Sequence, residues 1–146
     1  MFPSKFKKDS DKSLGFLFIR AYNLWHTGIK NLLQSSGLTH PQFVFLAVLG
    51  FLRQNNEHVT QKMISDFSDI DVMTVSQIAG LLEKKHLITR QEHPRDTRAR
   101  SVGLTALGQE TLEKAMPAVE ALDDEFFGKL GDKEESFAHM LRQLLV

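Results

Sequence analysis

The stretch Thr60-Gln61-Lys62-Met63-Ile64-Ser65-Asp66-Phe67-Ser68-Asp69-Ile70-Asp71-Val72-Met73-Thr74-Val75-Ser76-Gln77-Ile78-Ala79-Gly80-Leu81-Leu82-Glu83-Lys84-Lys85 decides the fold. Thr60 is suited to cap a short helix, Gln61 to Phe67, with Met63, Ile64 and Phe67 expected to point inward. Ser68-Asp69-Ile70 is a tight connection, and Asp71 caps a second helix from Val72 to about Lys85. Two short helices joined this way form a helix-turn-helix, in which the second helix normally does the reading.

That second helix sorts into faces. Val75, Ile78, Ala79 and Leu82 fall on the core side, while Met73, Ser76, Gln77, Gly80 and Lys84 fall opposite, with Thr74 at the margin. Hydroxyls and a carboxamide have the donors and acceptors that base edges in the major groove present, and Met can meet a thymine methyl. A polar helix face taken alone is more often merely solvated; the segment C-terminal to this helix tips the balance toward a reader. Leu87 to Glu92 is strand-like, His93-Pro94-Arg95-Asp96-Thr97 has turn chemistry, and Val102 and Leu104 alternate on a second strand. The product is a β-hairpin with Arg95, Arg98 and Arg100 at or beside its tip. Asp96 is placed to orient Arg98 by a charge-assisted pair, and an ordered arginine on an extended arm suits a narrow minor groove.

Outward from this lobe, Leu14, Leu17, Phe18, Ala21, Leu24, Trp25, Gly28 and Leu32 recur at helical steps and predict a helix ending near Ser36-Gly37. Thr39 then caps a nearly all-apolar helix, Gln42 to Arg53, which belongs at the centre of a core. On the C-terminal side Thr105 caps a long helix to about Lys129. Asp132 with Glu135 forms a capping-box-like start for a last one. The 146 residues, 42% hydrophobic and 25% charged, describe an ordinary globular chain. Eighteen basic residues balance eighteen acidic ones, but residues 84–100 hold six basic against two acidic, a net +4. A neutral chain with one concentrated cationic stretch can hold a polyanion locally.

Absence of cysteine removes thiolate metal sites, disulfides and cysteine nucleophiles. The six histidines never fall at ligand spacing with carboxylates, and no phosphate loop or nucleophile elbow appears. An enzyme, a metal site and a cofactor are therefore not expected. The acidic run Asp123-Asp124-Glu125 reads as an exposed helix face. No apolar run approaches the roughly 20 residues of a membrane helix, and the basic start lacks a signal-peptide core, so the cytoplasm is the expected location.

Leu38-Thr39-His40-Pro41-Gln42-Phe43, Val59-Thr60-Gln61, Met73-Thr74-Val75-Ser76-Gln77 and Leu82-Glu83-Lys84-Lys85, taken in order, resemble the MarR family of bacterial transcriptional regulators. So does His93-Pro94-Arg95-Asp96-Thr97-Arg98-Ala99 through Leu104-Thr105, with its Asp-x-Arg wing signature; the similarity continues to Val119-Glu120-Ala121-Leu122-Asp123 and Phe126-Phe127. The resemblance implies a mainly α fold with a small β-hairpin wing (α+β), a winged helix-turn-helix acting as a homodimer. Residues 1–38 and 105–146 would form the helical dimerisation region and 39–104 the DNA-binding lobe, within one compact domain. It implies double-stranded DNA with a pseudo-palindromic site as partner, read by Thr74, Ser76 and Gln77. Gln61 would meet phosphate, Arg98 would enter the minor groove with Asp96 orienting it, and Lys84, Arg95 and Arg100 would add positive charge. Repression relieved by a small ligand, with an aromatic anion as candidate class, is the implied mode of action. Tyr22, Trp25, His26, His40 and Phe43 are the candidate effector-pocket residues, although an aromatic stripe at helical spacing is more often simply core. Two positions depart from the pattern. Gly80 stands where relatives often carry an arginine, and His86 where they usually have the glycine that ends this helix, so a left-handed residue or a different ending is required. The Gly80 departure raises an alternative, a winged-helix dimer acting as a protein-interaction module with weakened DNA readout.

Overall fold

The computed structural model describes residues 1–93 and 95–146, and for residue 93 and residues 96–99 the backbone alone. Its elements run α1 (Leu14–Leu33), α2 (His40–Leu52), β1 (Val59–Thr60), α3 (Gln61–Ser68), α4 (Val72–Lys84), β2 (Ile88–His93), β3 (Asp96–Leu104), α5 (Ala106–Phe127) and α6 (Glu134–Leu144). This is the winged-helix arrangement of mainly helical elements around one small antiparallel sheet. No single helix among the described residues is long and apolar enough to cross a membrane.

The chain packs as two compact units. One comprises Leu32–Glu120, the other Met1–Asn31 with Ala121–Val146. In the first, α2 is the hub. Thr39 and Gln42 form a reciprocal capping box, with Pro41 in the first turn where its missing N–H is harmless. From that start Phe45, Leu46 and Leu49 are carried into full burial, and α2 packs on α3, α4 and β3. Ile64 of α3, Val75 and Leu82 of α4 and Ile88 of β2 complete this core.

The sheet has the order β1-β3-β2, all antiparallel. The two-residue strand β1 pairs Val59 with Val102 and Thr60 with Ser101. Sequence periodicity misses it because two residues have no period, and because Thr60 serves at the same time as the α3 cap. Phe67 corrects another expectation: it is 53% exposed and stacks at 5.3 Å on Phe51. The buried stripe of α3 runs through Gln61, Ile64 and Ser65, and Phe67 lies off that line.

In the second unit α1 and α5 approach closely at Gly28, where a Cβ would stand 3.2 Å from Leu122. Trp25 Nε1–H donates to Asp123 Oδ1 at 2.8 Å, so Asp123 is a half-buried acceptor and the acidic run is not uniformly an exposed face. The capping box expected at Asp132 and Glu135 is absent. Two short 3₁₀ turns within Gly128–Lys133, broken at Gly131 (φ +60°), lead into α6, whose N-cap is Lys133 with no side-chain bond. Side-chain capping needs an extended residue at that place, and none is there.

Candidate nucleic-acid interface

Asp71 starts α4 with the backbone N–H and the hydroxyl of Thr74 both donated to its carboxylate, at 2.9 and 2.6 Å. The Thr74 hydroxyl first, and its N–H second, hold the Asp71 carboxyl below its ordinary value. Thr74 is half-buried with its one hydroxyl proton committed to the cap, so what it retains for a base is acceptor capacity. Val75, Ile78, Ala79 and Leu82 are buried, as the 3.6-residue period requires. Met73, Gln77 and Lys84 are exposed, and Ser76 is partly exposed. Val72 and Leu81 are exposed as well, so the outward side of α4 is more apolar than its sequence suggests.

The end of α4 meets the His86 problem directly. His86 adopts φ +62°, the left-handed conformation that a glycine would take at less cost. His86 N–H donates to Glu83 O at 2.9 Å and Leu87 N–H to Leu82 O at 3.0 Å, the two bonds of a Schellman ending. The Thr105 hydroxyl donates to His86 O at 2.7 Å and accepts from Gly108 N–H at 3.0 Å. One side chain thus joins the reader helix ending to the start of α5. Gly108 permits this approach, since a Cβ there would fall 2.1 Å from Leu87 O.

The hairpin rises from this joint. Ile88 pairs with Leu104 and Arg90 with Val102, with an irregularity between Glu92 and His93. Arg95 and Arg100 are exposed, and Arg95 is engaged by a neighbour. Pro94 and the side chains of Asp96 and Arg98 lie outside what is described, so their expected pairing stays a sequence expectation. Gln61 is buried at the first turn of α3, where its Oε1 accepts from Arg90 Nη1 at 3.3 Å. Its carboxamide therefore serves the interior network.

Two cationic side chains carry structural bonds that their sequence neighbours do not announce. Lys85 Nζ donates to Gly37 O at 2.6 Å and to Gln42 Oε1 at 2.8 Å, tying the end of α4 to the turn before α2. Arg90 Nη2 lies 3.1 Å from Glu83 Oε1, and its side chain is only 15% exposed. Among the described residues its Nε is buried without a hydrogen-bond partner. A signal for Arg90 was present: it shares strand parity with Ile88, which is fully buried, so the alternation placed a charge on the inward side.

The candidate effector residues divide between the units. Tyr22 stacks on His26 at 5.2 Å and lies 5.9 Å from Trp25. Tyr22 and Trp25 border an open cavity of about 580 Å³ whose wall is aromatic and aliphatic, including Phe18, Phe126, Phe127 and Phe137. His40 and Phe43 belong to the other unit, where Phe43 is buried in the α2 core and His40 is half-buried and engaged. Among the described residues no three His, Asp or Glu side chains gather as a metal-binding set.

Residues 36–99 match the sequence model of the MarR family. The uncharacterized HTH-type transcriptional regulator YdcH of Bacillus subtilis is 38% identical over 133 residues, covering 91% of this chain and 90% of that protein. Among solved structures, BpsR of Bordetella bronchiseptica, whose DNA binding is regulated by 6-hydroxynicotinic acid, superposes with a TM-score of 0.82. The identity is 26%, over 92% of this chain and 94% of BpsR. MepR of S. aureus, solved in complex with DNA, shares the fold with a TM-score of 0.82 at 23% identity, over 94% and 97% of the two chains.

Proposed function

Because the chain belongs to the MarR family of transcriptional regulators, we propose that it is a homodimeric repressor which holds a pseudo-palindromic duplex and leaves it on binding a small ligand. The observation that carries the reading is the outward face of α4, with Met73, Gln77 and Lys84 exposed, on a helix joined by its ending to a cationic hairpin. Gln77 and Ser76 read base edges and Lys84 and Arg100 meet phosphate, with Arg98 in the flanking minor groove and Asp96 orienting it. Gln61, being buried against Arg90, contributes through its helix start rather than its side chain.

A dimer is supported by the apolar side chains that α1 and α6 leave in solvent, among them Leu14, Phe18, Leu24, Met140 and Leu144. The segments 1–38 and 105–146 form the dimerisation region. Two copies place their reader helices on half-sites about 34–36 Å apart, so a small rotation between copies loses both grooves together. The regulation of BpsR by 6-hydroxynicotinic acid supports an aromatic anion as the ligand class.

Selection from random duplexes with the purified protein, at two salt concentrations and with a panel of aromatic carboxylates and phenols, tests the reading. The expected result is an enriched inverted repeat, bound less tightly at higher salt and released by a member of the panel. Arg98→Ala then weakens binding through the flanking minor groove, and Gln77→Ala changes preference inside the half-site. A second reading, a protein-interaction module on the same dimer, draws on exposed Val72, Met73 and Leu81. It is favoured if no sequence is enriched.

A further inference from the structure

Arg90 sits at the root of the hairpin and reaches two helices at once. Its Nη1 donates to Gln61 at the start of α3, and its Nη2 pairs with Glu83 near the end of α4. The same Nη2 stands 3.7 Å from where a Cβ on residue 80 would lie, an ordinary contact, so the guanidinium runs close beside α4 at Gly80. A planar group with donors on both sides can span two acceptors in fixed directions, which a flexible ammonium cannot.

We propose that Arg90 is a positioning residue for DNA recognition. Its guanidinium, seated beside Gly80, fastens the hairpin root to α3 and α4 and so sets the angle between reader helix and wing. The mechanical reason is leverage: a six-residue strand such as β2 reaches roughly 20 Å, so a tilt of about 10° at the root carries the tip about 3.5 Å. A wing displaced by that amount cannot sit in the minor groove while α4 holds the adjacent major groove. A side chain longer than alanine at position 80 would compete for the space the guanidinium occupies, whereas a Cβ alone would not.

The inference rests on the regulator reading, and the experiment separates the two. Wild type, Arg90→Met, Arg90→Lys and Glu83→Ala are titrated with the duplex that wild type enriches and with a scrambled duplex of equal length, at several salt concentrations. Thermal melting is followed in parallel. Arg90→Met is expected to lower affinity for the enriched duplex about tenfold or more while leaving the scrambled duplex unchanged. Any change in salt slope is confined to the enriched duplex, because Arg90 itself meets no phosphate and only the displaced wing does, and the loss is seen at temperatures where the variant is fully folded. Arg90→Lys does not restore binding, and Glu83→Ala, a half-exposed position that does not threaten folding, shows a smaller loss in the same direction. A salt slope reduced by about 1, with both duplexes weakened alike, would make Arg90 a phosphate contact and overturn the proposal. So would unchanged discrimination in Glu83→Ala, or a loss of binding that merely tracks a lowered melting temperature in Arg90→Met. Failure of wild type to enrich any duplex sinks the regulator reading, and this inference with it; enrichment with unaltered discrimination in Arg90→Met sinks the inference alone.

Discussion

The two units solve the problem of apolar surface in opposite ways. Residues Leu32–Glu120 place Phe45, Leu46, Leu49, Ile64, Val75, Leu82 and Ile88 in full burial around α2. In the unit built from Met1–Asn31 and Ala121–Val146, Ile29 is the one buried hydrophobic residue among those described, whereas Leu14, Phe18, Leu24, Leu144 and Leu145 are exposed. Isolated exposed apolar residues are ordinary, but a helix face of them is a surface awaiting a partner. The lobe that would read DNA is complete in one chain; the other unit is finished only when something covers it.

Breaking that second surface is expected to have the largest effect. Phe18→Glu with Leu24→Glu should leave a folded lobe but abolish dimerisation, lowering affinity for the enriched duplex by about 10²–10⁴-fold through loss of paired half-sites. Sedimentation and duplex titration check both halves of the statement; a dimer that persists removes the contrast between the units. Phe45→Ala attacks the complete core instead and should cost about 3–5 kcal/mol in denaturant unfolding.

Smaller changes sharpen the account of the reader helix. His86→Gly should stabilise the protein by about 1 kcal/mol, since it relieves a side chain held in the left-handed region. Gly80→Ala should raise stability by up to about 1 kcal/mol with DNA binding kept, because its Cβ makes only ordinary contact with Arg90 at 3.7 Å. The Asp71 cap gives the smallest and most directional effect. Its carboxyl is held below the ordinary 3.8 by Thr74, so its stabilisation is full above that value and disappears as pH falls through the lowered one. Melting of wild type and Asp71→Ala compared from neutral to strongly acidic pH should show a gap that closes only at the acid end.

Much of the fold is legible in the residues alone. The caps Thr39, Thr60, Asp71 and Thr105 act where the sequence puts them, because a cap is a local bond between residues three apart. The core side of α4 follows from a 3.6-residue period, and the need for a left-handed residue at 86 follows from the missing glycine. The polar network does not follow. Arg90, Gln61 and Glu83 are separated by 29 and 7 residues, and no local rule couples them. The same holds for Lys85 with Gln42, and for Trp25 with Asp123 across 98 residues.

What the chain's own order of residues determined was the set of helices, most of their boundaries and the family, since turn chemistry, capping and hydrophobic period act over a few residues. What tertiary structure alone decided was which polar side chains became internal struts: Gln61 moved from expected surface contact to interior acceptor, and Arg90 from strand residue to the joint of the lobe. The physical reason is that burial of a polar group is a collective outcome. It depends on what distant segments bring within hydrogen-bond reach.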